Sequence, residues 1–234
     1  MSILRGMAHQ TIRLGAWALT AGRIEMAVAG LNHVPMEGPV LLVARHYHHL
    51  LDAAVLLRSL PRPIHIVVTL DWVQTSVGRR LMTMATTMAG WPAVLRSDAL
   101  TGSDESRQRR NSFTAEDIRG YQRRAVRDSV ALLSQGRMLV VFPEGYPNID
   151  PHTTAKTHPE EFMRFKAGFA VIAAAAEKRL GTRVPIVPCG FRYQKNARWT
   201  VGLNIGEATY LERFVSRSLL VNYMEGRVAE LSNS

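Results

Sequence analysis

An α/β fold, with a mostly parallel central sheet flanked by helices and an amphipathic helix at its N-terminus, is what this sequence predicts. Three observations carry the prediction. Short unbroken apolar runs recur along the chain, such as VLLVA at residues 40–44 and MLVVF at 138–142. A strand needs such a run when helices cover both faces of its sheet, as in parallel sheets. Segments of helical period lie between these runs, and strands alternating with helices build layered α/β structures. Gly, Pro and Asn punctuate the boundaries.

Taken in order, residues 3–20 repeat their apolar positions at helical spacing. Ile3, Leu4, Met7, Leu14, Trp17 and Ala18 share one face, and Arg5, His9 and Arg13 lie on the other. Such a helix either lies in a membrane interface or packs on its own domain. Residues 24–28 form a strand that Gly30 ends. Asn32, Pro35 and Gly38-Pro39 mark turns before the strand at 40–44. Residues 50–60 are helical up to Pro61, and 64–70 form another strand. A methionine-rich helix follows at 77–88, with Met82, Met84 and Met88, and Gly90 ends it. Residues 92–96 are a short strand ending in Arg96. The polar stretch 97–113 reads as a surface loop. Thr114 to Asp117 has the pattern of a capping box, opening a helix that Gly136 stops. Residues 138–142 are a strand, 165–180 an alanine-rich helix, 184–189 and 200–205 strands, and 216–231 a closing helix. No repeat or long linker divides the chain. Residues 1–22 are read as the N-terminal helix and 23–234 as a single domain.

Charge narrows the partners. Twenty-nine Lys and Arg against nineteen Asp and Glu give a net charge of +10. That favours an acidic partner: anionic lipid, nucleic acid or a phosphorylated substrate. Arginine dominates the excess and suits bidentate phosphate contacts. The single cysteine, Cys189, permits no internal disulfide and implies a reducing compartment. No apolar run reaches the ~20 residues that span a bilayer. His9, Gln10 and Arg13 interrupt the N-terminal apolar stretch, so it does not read as a signal peptide. The expected location is cytoplasmic, peripheral on the inner face of the cell membrane.

Open α/β sheets bind ligands beyond the carboxyl ends of their strands. Four segments fall at such ends. The first, ARHYHHLLD, carries His46, His48, His49 and Asp52. The second ends in Arg96. The third is Phe142-Pro143-Glu144-Gly145, and the fourth is Val184-Pro185-Ile186-Val187-Pro188. Lys166, in FKAG, lies between the last two. Imidazole titrates near neutral pH, so a histidine beside a carboxylate at such an edge suits proton transfer.

These segments resemble the blocks of the glycerolipid acyltransferases, the family of lysophosphatidate and glycerol-phosphate acyltransferases. GLNHVPMEGPVLLVARH resembles the lead-in to the first block, and His46 and Asp52 stand at its His-Asp pair. GWPAVLR resembles the second block, VVFPEG the third, FKAG its downstream lysine segment and VPIVPCG the fourth. The resemblance covers residues 28–211. Two departures stand out. The family has four residues between its His and Asp. Here His46 and Asp52 have five between them, and His48 and Asp52 have three. The strand leads directly into His46, and His48 is the alternative base. After FPEG the family commonly continues Thr-Arg, whose arginine helps hold the acceptor's phosphate. This chain has Tyr146-Pro147-Asn148.

The resemblance implies an acyltransferase moving a fatty acyl group from acyl-CoA or acyl carrier protein to a lysophospholipid or glycerol phosphate. His46 would be the base and Asp52 its orienting carboxylate. Arg96 and Lys166 would hold phosphate. Glu144 would orient a basic group or the acceptor's hydroxyl, and Gly145 would let backbone approach closely. The implied partners are an anionic membrane, a lipid acceptor and an acyl thioester, with no nucleic acid, metal or other cofactor. Two other classes fit parts of the sequence. One is a metal-dependent hydrolase with His46, His48, His49 and Asp52 as ligands. The other is a non-catalytic membrane or nucleic-acid binder on the same fold.

Overall fold

The computed structural model describes residues 3–71, 73, 75–96, 114–150, 155–158 and 160–233. The loop expected at 97–113 lies outside them. Eight strands are described: β1 (Ile24–Ala29), β2 (Val40–Ala44), β3 (Ile64–Ile66), β4 (Val68–Thr69), β5 (Ala93–Val94), β6 (Met138–Val141), β7 (Ile186–Lys195) and β8 (Trp199–Ile205). The helices are α1 (Ile3–Thr20), α2 (Leu51–Ser59), α3 (Ser76–Ala89), α4 (Ala115–Ser134), α5 (Gly168–Leu180) and α6 (Arg217–Asn233). Six strands form the main sheet in the order β1-β8-β7-β2-β6-β3. Every pairing in it is parallel except β7 with β8.

β2 shows why its apolar run has no polar breaks. It lies between β6 and β7, and all five residues are buried. Alternate side chains serve different cores. Val40, Leu42 and Ala44 pack with Val55 and Leu56 of α2 on one face. Leu41 and Val43 pack with Phe169 and Ala173 of α5 and Met224 of α6 on the other. The strand period of two thus divides five consecutive apolar residues between two helical layers.

Three boundaries differ from the sequence expectation, each for a physical reason. The strand expected at 64–70 changes partner midway. Val67 N–H donates to Val140 O at 3.0 Å, whereas Val68 N–H donates to Pro92 O at 3.0 Å. Residues 68–69 therefore pair with β5 in a separate two-stranded sheet. The strand expected to stop at Cys189 runs on to Lys195, hairpinned against β8. Gly190 is no terminator: a Cβ there would lie 2.3 Å from the backbone of Leu231, so glycine lets α6 pack directly on the strand. The alanine-rich helix begins at Gly168, so Lys166 precedes it. The capping box at Thr114 is present, with Asp117 N–H donating to Thr114 Oγ1 at 3.1 Å and Thr114 N–H to Asp117 Oδ2 at 2.8 Å.

The N-terminal helix is amphipathic, but its apolar row faces outward. His9 and Ala16 are buried, and Ile12 and Leu19 pack on the core, while α1 contacts α2 and α3. Met7, Leu14 and Trp17 are exposed. The expected polar position His9 instead meets His65 of β3 edge-on, with ring centroids 4.8 Å apart.

Candidate active site

β2 delivers the chain into Arg45 and His46 at the carboxyl edge of the sheet. Asp52 sits in the first turn of α2, where the helix N-terminus favours a negative charge. Its side chain is fully buried, and Oδ2 lies 2.9 Å from His46 Nδ1. The same oxygen accepts the backbone N–H groups of Tyr47 at 2.7 Å and His48 at 3.0 Å. Oδ1 accepts the Tyr193 hydroxyl at 2.7 Å. An ionised carboxylate only accepts, so the proton between His46 and Asp52 belongs on Nδ1, leaving the Nε2 lone pair for chemistry. The imidazole also stacks on Phe142, with centroids 4.5 Å apart. Burial and the adjacent Asp52 charge push the Tyr193 phenol well above its ordinary value, so it stays a donor.

The five-residue spacing is absorbed before α2. Residues 49–50 form a turn, and Asp52 reaches back over it to the backbone N–H groups of Tyr47 and His48. His48 is used differently. Its Nδ1 accepts N–H groups from Leu50 at 3.3 Å and Leu51 at 3.4 Å, at the start of α2. Burial holds its imidazole below the ordinary value, against the pull of Asp52. The structure therefore pairs Asp52 with His46 and gives His48 to the helix start. His49 stacks on His48 and faces Ile149 O. Among the described residues, no three His, Cys, Asp or Glu side chains are placed to hold a metal ion.

Glu144 follows β6 and is fully buried. Its Oε1 accepts His46 N–H at 2.8 Å, and its Oε2 accepts Met163 N–H at 3.0 Å. Oε2 also lies 2.6 Å from Nζ of Lys156, whose side chain is equally buried. Glu144 does face a basic group, but one that no motif spacing had marked.

Arg96, Gly145 and Lys166 gather around Tyr146. Arg96 Nε and Nη2 meet Asp71 Oδ2 at 2.8 and 2.6 Å, and Nη1 donates to Gly145 O at 3.0 Å. The guanidinium lies 3.9 Å above the Tyr146 ring, and Lys166 Nζ is 5.5 Å from that ring. Gly145 has φ of 79°, a left-handed conformation suited to glycine, and a Cβ there would be 3.4 Å from Lys166 Nζ. All the site residues expected from the sequence thus lie in two adjoining clusters, joined through consecutive Glu144 and Gly145.

The Acyltransferase family model matches residues 25–192, most of the chain and every residue of these clusters but Tyr193. The chain belongs to the acyltransferase family. No individually curated protein matches it by sequence. Among solved structures it is similar to the 1-acyl-sn-glycerophosphate (LPA) acyltransferase PlsC from Thermotoga maritima, with a TM-score of 0.63 and 18% identity. The match covers 98% of this chain and 80% of that one. At that identity the likeness speaks for the fold. In this acyltransferase Tyr193, Asp71 and Lys156 escaped the sequence reading. Tyr193 lay in a strand whose extent depends on β8, and Lys156 in a polar stretch that reads as surface.

Proposed function

We propose that this acyltransferase moves a fatty acyl group from acyl-CoA or acyl carrier protein to the hydroxyl of a lysophospholipid or glycerol phosphate. The pairing of His46 Nδ1 with the buried Asp52 carboxylate, in a chain of this family, carries the reading. A lipid hydroxyl is a poor nucleophile until its proton is removed. His46 Nε2 takes that proton as the oxygen attacks the thioester carbonyl. The new C–O bond forms and the C–S bond breaks on collapse of the tetrahedral intermediate. The imidazolium then returns the proton to the departing thiolate. Asp52 holds the ring and stabilises its cationic form.

The setting is an anionic membrane surface, at its cytoplasmic face. Met7, Leu14 and Trp17 of α1 are exposed, as are Val77, Leu81, Met84 and Met88 of the contacting α3. Arg13 and Arg80 are exposed on the same two helices. Apolar residues with flanking arginines suit a helix lying in the interface. No helix among the described residues is long and apolar enough to cross a membrane.

The test is thiol release from acyl-CoA with a panel of lysolipid and glycerol-phosphate acceptors. His46→Ala and Asp52→Asn should each lower kcat by about 10³-fold or more. Wild-type turnover by folded His46→Ala sinks the proposal, and loss with His48→Ala alone would move the base to His48.

A further inference from the structure

The main chain of His46 is held on both sides by one ion pair. Its N–H donates to Glu144 Oε1 at 2.8 Å, and its C=O accepts from Lys156 Nζ at 2.9 Å. Glu144 and Lys156 meet each other at 2.6 Å, closing a ring of contacts around one peptide segment. A third ammonium bond goes to Asn148 Oδ1 at 2.8 Å. Every N–H of Lys156 therefore has an acceptor, which a fully buried ammonium requires.

The loop carrying Lys156 is tied to the same segment elsewhere. Ile149 N–H donates to Tyr47 O at 2.8 Å and His49 N–H to Ile149 O at 3.1 Å, so the chain after Glu144 runs beside the His46 loop like a short added strand. Asn148 Nδ2 in turn donates to Glu161 O at 2.9 Å. A buried ion pair adds little stability over a well-packed apolar pair. Here both members bond to the residue whose ring pairs with Asp52, and that is a reason to have charges there. Displacements near 1 Å at a reacting group cost about 10²-fold in rate.

We propose that Lys156 is a positioning residue for acyl transfer. With Glu144 it clamps the His46 main chain, so that Nδ1 stays on Asp52 and Nε2 stays in line with the acceptor hydroxyl. The proposal rests on the reading of His46 as the base.

Burial draws the Lys156 ammonium below its ordinary value, and Glu144 opposes this; Arg45 adds to the lowering and Asp52 opposes it. Without the ammonium, the His46 carbonyl loses its donor and Glu144 loses the cation 2.6 Å from its Oε2. The His46 main chain is then held from one side only, by Glu144 Oε1.

The experiment measures kcat and KM for wild type, Lys156→Met, Lys156→Met/Glu144→Gln and His46→Ala. It uses acyl-CoA with lysophosphatidate, and circular dichroism gives the folded fraction. Lys156→Met should lose about 10² in kcat per folded molecule at pH 7, with KM within twofold. The double variant, in which neither member of the pair is charged, should keep the low kcat at unchanged KM. Wild-type kcat in folded Lys156→Met overturns the proposal. If that variant does not fold, wild-type kcat in the double variant overturns it and reduced kcat at unchanged KM supports it. An active His46→Ala would instead sink the His-Asp reading; an inactive His46→Ala beside a fully active Lys156 variant sinks only the clamp.

Discussion

Asp52 and Arg96 are both charged groups at the carboxyl edge of the sheet, yet they are held in different ways. Asp52 is fully buried and has four donors: the His46 ring, two backbone N–H groups and the Tyr193 hydroxyl. Arg96 is 12% exposed and meets a carboxylate, a carbonyl and an aromatic face. In the proposed mechanism, the first arrangement fixes a charge whose partners must not move during proton transfer. The second pairs a cation with a carboxylate at the side assigned to the anionic substrate. Asp71 lowers the attraction Arg96 has for a phosphate, while the exposed Lys166 is a second cation against the same Tyr146 ring. In the proposed mechanism, the proton-transfer side is tightly bonded and the side assigned to the acceptor headgroup is electrostatically tempered.

The comparison can be broken from either side. Tyr193→Phe removes one of the four donors to Asp52 and leaves the ring stacked on Tyr47. A hydrogen bond to a charged group contributes about 1.5–3 kcal/mol, so kcat should fall about 30-fold with KM unchanged. Equal losses in kcat and KM would show the hydroxyl acting on substrate binding instead. At the membrane, Leu14→Ser/Trp17→Ser should weaken partition onto anionic vesicles about tenfold. Turnover of a short-chain soluble acceptor should stay at the wild-type level, since neither half of the site changes. The smallest effects belong to the headgroup side. Arg96→Leu/Asp71→Leu removes the pair without stranding a buried charge, and should raise KM for a lysophosphatidate acceptor about fivefold. Lys166→Ala should raise it only about twofold, an effect that 0.5 M salt removes because exposed charges are screened. A larger effect from Lys166 than from the pair would reverse the assignment of the two cations.

Much of this was legible in residue order. The run VLLVARH predicts a buried strand ending in a polar site because an unbroken apolar stretch has few other uses. FPEG behind it marks another strand end, and open sheets bring such ends to one edge, whereas VPIVP, expected at a strand end, opens β7 instead because the hairpin with β8 carries that strand on to Lys195. The spacing from His46 to Asp52 was ambiguous because residues along a chain do not reveal where a turn lies. The choice between His46 and His48 depended on which imidazole the Asp52 carboxylate reaches once α2 begins. The outward apolar face of α1 was hidden for a similar reason. Helical period groups Met7, Leu14 and Trp17 on a face, but what covers that face is decided by the other helices.

By itself, the sequence determined the α/β layering, the ends of the strands that lead into His46 and Glu144, and the family to which the chain belongs. These depend on local apolarity, turn residues and short motifs, all written into neighbouring positions. Tertiary structure alone decided the partners of the charges: Asp52 with Tyr193, Arg96 with Asp71, Glu144 with Lys156. Such pairs join residues far apart in sequence. A buried charge is stabilised by whatever donor or acceptor lies nearest in space, and no local pattern records that neighbour.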